Sequence, residues 1–144
     1  MEMTGDKPPF EILDHTADVG VCAHGATLGQ AFEHAALAMF SVMADLTTVA
    51  EVEERRLEVH GDDRETLLVA WLSELLYLSD TQGMLFRRFA IDELAEGRLR
   101  GRAWGERIDR DRHALGTGVK AVTRHMLAVY GDDDGYRVRV IFDI

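Results

Sequence analysis

The densest group of side chains able to hold a metal ion is the run Asp14-His15-Thr16-Ala17-Asp18, which joins two short apolar stretches. A second acidic position closes the sequence, where Asp143 precedes Ile144 at the end of an alternating segment. Side chains alternate faces along a strand, so Val138, Val140 and Phe142 point one way and Asp143 the other. If the native chain ends at Ile144, an α-carboxylate and a backbone oxygen stand beside the Asp143 carboxylate. Donor sets built only of oxygen suit a hard divalent cation, and calcium accepts about six to eight oxygens with loose geometry. The competing account is that the Asp, His and Thr side chains of the first run satisfy backbone donors within a turn. Spacing along the sequence leaves open whether Asp18 meets Asp143.

Other polar residues could support such a centre by hydrogen bonding. Asp14, His15, Glu106, His113 and His125 fall in this class, because a His beside carboxylates can orient a ligand. Against that, an isolated His more often satisfies a core or surface hydrogen bond. Cys22 is the only cysteine. No internal disulfide or cysteine-based zinc site can form, and its apolar surroundings fit a buried, inert thiol better than a nucleophile. The Asp132-Asp133-Asp134 run lacks the spaced ligands and closing Glu of a calcium loop and reads as a hairpin turn. No Gly-rich strand-to-helix loop supports a dinucleotide or P-loop nucleotide site.

The elements that must position these residues follow from periodicity. Residues 1–8 form a polar leader, and a single domain is expected over 9–144. Residues 10–13 read as one strand, and Val19, Val21 and Ala23 alternate as a second. Thr27 and Gln30 make a capping box ahead of Leu28, Ala31, Phe32, Ala35, Met39, Phe40 and Met43, which recur at helical spacing. Residues 52–60 alternate as a strand with one wet face. An Asp after Gly61 caps a second helix carrying Leu67, Leu68, Trp71, Leu72, Leu75, Leu76 and Leu78. The remainder is β: residues 84–91, 98–104, 119–130 and 136–144. Arg98, Arg100 and Arg102 share one face of their strand, a solvated face in preference to a phosphate contact. Together these patterns predict an α+β two-layer sandwich, with helices packed on a mainly antiparallel or mixed β-sheet.

With 144 residues and 47% hydrophobic content, the chain can bury about two thirds of its unfolded surface around one core. Sixteen basic against 26 acidic residues leave a net charge of −10. A field of that sign repels a phosphate backbone, so stable, unaided nucleic-acid binding is not expected, whereas a basic protein partner is favoured. Plain solubility is the preferred account of the charge, ahead of partner steering. Nowhere do eighteen apolar residues run together, and no signal-like segment opens the chain, so a soluble cytoplasmic protein without a membrane role is expected.

Six motifs in order carry a resemblance: Leu13-Asp-His-Thr-Ala-Asp-Val19, Gly25-Ala-Thr-Leu-x-x-Ala-Phe32, Leu67-Leu-x-x-Trp-Leu-x-Glu-Leu-Leu76, Trp104-Gly-Glu106, Val119-Lys-Ala-Val-Thr123 and Asp143-Ile144. Over Phe10 to Ile144 the chain resembles the archease family. The resemblance implies that Asp18, Asp143 and Ile144 bind a divalent cation, with calcium as the bound ion and manganese or magnesium in the working complex. It also implies that Lys120 is a functional lysine. The implied activity is that of a cofactor protein and not an enzyme. Its partner would be an RtcB-type RNA ligase of tRNA splicing and RNA repair, which it would help to guanylylate and turn over. A chaperone or binding role toward a tRNA cytosine methyltransferase is the alternative attached to the family, and a stand-alone metal-dependent hydrolase is a third. Arg124 departs from the family pattern, where the residue after Thr123 is often aromatic.

Overall fold

Capping chemistry sets both helix starts. The N–H of Gln30 donates to Thr27 Oγ1 at 3.0 Å while Gln30 Oε1 accepts from the N–H of Ala26 at 2.6 Å, so the expected capping box forms one residue wider than its simplest version. Asp63 accepts from the N–H of Thr66 at 2.7 Å and starts the second helix, which Gly83 ends in the left-handed conformation at φ 63°.

A computed structural model describes the backbone of residues 8–14 and 18–144 and, Leu13 and Asp14 excepted, their side chains. Nearly all of the expected leader and the whole of His15 lie outside the described residues. In chain order the elements are β1 (Phe10–Asp14), β2 (Asp18–Gly25), α1 (Leu28–Met43), a short 3-10 turn (Leu46–Thr48), β3 (Glu53–His60), α2 (Arg64–Gln82), β4 (Met84–Ala95), β5 (Arg98–Arg107), β6 (Ala121–Asp132) and β7 (Gly135–Asp143).

The strands form two sheets, not one. Four strands run in the order β1-β2-β7-β6 and three in the order β3-β5-β4, with antiparallel pairing throughout. The α+β class and the helix-on-sheet packing are as read from the periodicity. The split arises because β2 pairs with the last strand, β7, so both ends of the chain close one sheet. Each helix touches strands of both sheets, and one buried cluster serves the two. Phe32, Phe40, Trp71, Phe86 and Phe142 are fully buried there. The indole N–H of Trp71 donates to the Phe32 carbonyl at 3.0 Å, which tethers the helices to each other.

Two features were not legible as alternation. Between Thr123 and Ala128 the partner strand advances only from Ile141 to Arg139, so β6 carries a large bulge in which Met126 adopts φ 55°. The arginines of β5 stand in an ion-pair ladder: Arg98 with Glu93, Arg100 with Glu58, and Arg102 with Asp92 through two hydrogen bonds of 2.8 and 2.7 Å. That is the solvated face expected of the stripe, with the charges neutralised by neighbouring strands.

Candidate metal centre

Asp18 opens β2 and Asp143 closes β7, and the register of the pair sets their Cα atoms directly opposite. Residues opposite one another in an antiparallel pair share a face, with Cβ atoms about 4.5–5.5 Å apart. The next pair along, Val19 and Phe142, faces the core and is buried. The alternation that buries Val19 and Phe142 therefore holds both carboxylates on the other face, Asp18 half-buried and Asp143 exposed. Ile144 resumes the inward direction and packs its side chain against the edge of the core.

On the far side of Asp143 lies β6, whose first residue, Ala121, is its Cα partner. The N–H of Lys120 donates to the Asp143 carbonyl at 2.8 Å, so the exposed lysine begins one residue from the paired carboxylates. The backbone thus brings Asp18, Asp143, Ile144 and Lys120 together. Asp14 is the Cα partner of Val19, adjacent to Asp18; its side chain, like all of His15, lies outside the described residues. His125 sits on the β6 bulge, exposed, with its N–H on Thr123 Oγ1 at 3.3 Å. Arg124, the departure from the family pattern, reaches Thr66 Oγ1 on α2 at 3.5 Å.

The donors fit a hard divalent ion by their chemistry: two carboxylates on one face. Among the described residues no group of three or more His, Cys, Asp or Glu side chains is placed to hold a metal.

Glu106 and His113 form a separate cluster. Glu106, at the end of β5, accepts two hydrogen bonds from Arg112, at 2.9 and 2.6 Å, and one from the N–H of Ala50 at 2.7 Å. The N–H of Asp109 donates to His113 Nδ1 at 2.9 Å, which leaves the ring proton on Nε2 to donate to Glu106 Oε2 at 2.9 Å. The geometry therefore assigns a neutral imidazole. The bonds from Arg112, then from His113 and Ala50, hold the Glu106 carboxyl far below the usual carboxylate range. Arg112 and Ala50 were not foreseeable as its partners, because no periodicity marks a contact between a strand end and two loops.

Cys22 is half-buried and not buried as expected, because it lies on the same sheet face as Asp18 while its neighbours Val21 and Ala23 face the core. Burial, helped by Glu11, raises its thiol pKa against the opposing pull of Arg139 and Arg137, in keeping with an inert thiol.

Comparison with known proteins now bears on this geometry. The profile of the Archease protein family (MTH1598/TM1083) matches residues 10–144. The chain is 46% identical over 138 residues to the Protein archease of Methanothermobacter thermautotrophicus, covering 94% of this chain and 98% of that one. It is 39% identical over 136 residues to that of Sulfurisphaera tokodaii, with the same coverage. The solution structure of Methanobacterium thermoautotrophicum protein 1598 superposes with a TM-score of 0.78 at 44% identity, covering 94% of this chain and 99% of that chain. A Thermotoga maritima protein, described as an archease and possible chaperone, shares the fold with a TM-score of 0.64 at 20% identity, covering 99% of this chain and all of that one.

Proposed function

The chain belongs to the archease family, and from that premise we propose that it activates an RtcB-type RNA ligase of tRNA splicing and RNA repair, without being an enzyme itself. The observation that carries the reading is the juxtaposition of Asp18 and Asp143 across β2 and β7, with Lys120 bonded through its N–H to the Asp143 carbonyl.

Asp18 and Asp143 bind a divalent cation on the outer face of the four-stranded sheet, and the inward-packed Ile144 fixes the main-chain oxygen beside them. Calcium suits the bound state and manganese or magnesium the working complex. Such a cation supplies positive charge that polarises phosphoryl oxygens. Lys120 contributes a second positive charge, exposed and free to neutralise phosphate in the ligase nucleotide site. A coordination sphere to which the described residues contribute two side chains leaves positions for groups of the ligase. The net charge of −10 favours approach to a basic cleft and opposes independent RNA binding. The expected setting is the cytoplasm. Among the described residues no helix is long and apolar enough to cross a membrane.

The test is guanylylation and multiple-turnover RNA joining by the cognate ligase, with substoichiometric wild type, Asp18→Ala, Asp143→Ala or Lys120→Ala. Wild type should stimulate and the folded variants should not. A well-folded wild type without effect refutes the reading and moves weight to a chaperone for a tRNA cytosine methyltransferase. That alternative draws on exposed apolar side chains such as Val52 and Tyr77, 69% and 59% accessible, and not on Asp18.

A further inference from the structure

The connection from β5 to β6, residues 108–120, is exposed along its length except at His113 and Val119. It works as a strap pinned by two buried side chains, one apolar and one polar. Val119 is an ordinary pin that belongs to the core. His113 is not: its side chain is wholly inaccessible, and it is held by direction as well as by volume, through Asp109 at Nδ1 and Glu106 at Nε2. Apolar packing tolerates sliding, whereas two hydrogen bonds at opposite ring atoms define one register.

Beyond this pin the strap runs along the end of α1. The Ala114 carbonyl accepts from the N–H of Asp45, and the N–H groups of Gly116 and Thr117 donate to the carbonyls of Met43 and Val42. The strap ends where the N–H of Lys120 meets the Asp143 carbonyl. A shift of register at His113 would pass through these bonds to Lys120.

We propose that Glu106, Arg112 and His113 are positioning residues that set the register of the strap and thereby close Lys120 onto Asp143. Their hydrogen bonds run to one another, to Ala50 and to Asp109, and Arg112 completes the clasp from the solvent side with its side chain half-exposed. The proposal rests on the reading of Lys120 as the functional cation, but the closure itself is a property of this chain alone.

Hydrogen exchange on the isolated, full-length protein tests it without any ligase. In His113→Leu, which keeps bulk and removes both ring bonds, the Lys120 amide should exchange about three- to tenfold faster, as expected when the net contribution of one hydrogen bond is lost. The amides of Val21 and Val140 in the β2–β7 ladder should keep their protection. His113→Gln, which can still donate toward Glu106, should restore much of the Lys120 protection. Arg112→Gln, at a half-exposed position, provides a folded variant should His113→Leu not fold, and should give a smaller acceleration at the same amide. Unchanged protection at Lys120 in the folded variants, or equal loss across the whole ladder, overturns the proposal. In the ligase assay the clasp variants should lower the plateau of stimulation and leave the half-saturating concentration unchanged. If no variant and no wild type stimulates while Lys120 exchange responds, the ligase reading fails and the clasp stands.

Discussion

Replacing Asp143 by Asn should make the metal-free protein more stable and the metal-loaded protein less so. The carboxylates of Asp18 and Asp143 project from directly opposed residues on one face. At roughly 6 Å, two like charges repel by about 0.7 kcal/mol in water and about 3 kcal/mol at the effective permittivity of a protein surface. Asp143 is exposed and Asp18 half-buried, so a value near 1 kcal/mol is expected. Asn keeps the shape and removes the charge, which should raise Tm by about 2–4 °C in a chain of this size. A cation reverses the order. At a calcium concentration about a hundred times its dissociation constant, the wild type gains about 2.7 kcal/mol, whereas the variant, with one carboxylate left, loses most of that gain. Thermal unfolding in chelator and across a calcium titration should therefore give curves that cross, with the gap in chelator narrowing as monovalent salt rises. A variant less stable than wild type in chelator, or an equal calcium shift in both proteins, would refute the carboxylate-pair reasoning.

Glu106→Gln should cost about 1.5–3 kcal/mol at neutral pH through weakened charge-assisted bonds to Arg112, His113 and Ala50. Because the folded carboxyl titrates far below its unfolded value, the stabilisation is present above about pH 4.5 and is lost as pH falls. Urea midpoints of wild type and variant should accordingly begin to converge below about pH 4.5 and go on converging below pH 3, and a gap that widens on acidification would contradict the sign. Gly105→Ala should cost about 3 kcal/mol or more, since a Cβ there would sit 1.8 Å from the Leu85 carbonyl oxygen on β4. A loss below about 1 kcal/mol in urea unfolding would show that β4 gives way.

What could be read before the fold was local. The helix stripes, the caps at Thr27 and at an Asp after Gly61, and the opposite facing of Phe142 and Asp143 depend on neighbours within a turn or two, where side-chain period and capping chemistry act directly. The meeting of Asp18 with Asp143 depends on which strand pairs with β2 and in what register, and that is decided by burial of Val19, Val21 and Ala23 against Phe142, Val140 and Val138. No spacing encodes it; there the motif resemblance supplied what periodicity could not. The β6 bulge escaped for another reason. Residues 119–130 alternate well enough to pass for one continuous strand, and the extra residues show only against the partner β7. Glu106 and His113 were recognisable as polar groups of interest, but not as each other's partners.

Among the described residues the two sheets leave four rows of backbone groups without a neighbouring strand, on β1, β3, β4 and β6. Each row is obstructed differently: β1 is only five residues long, β3 is dense in charge with Glu53, Glu54, Arg55, Arg56 and Glu58, β4 breaks register twice and β6 bulges at Arg124 to Leu127. A foreign strand needs a long, flat, regular row to zip onto, and none of the four offers it. This acidic protein can thus be kept at high concentration without its own copies polymerising through their sheets, and agitation of a concentrated solution should produce fibrils only after the β6 offset is deleted.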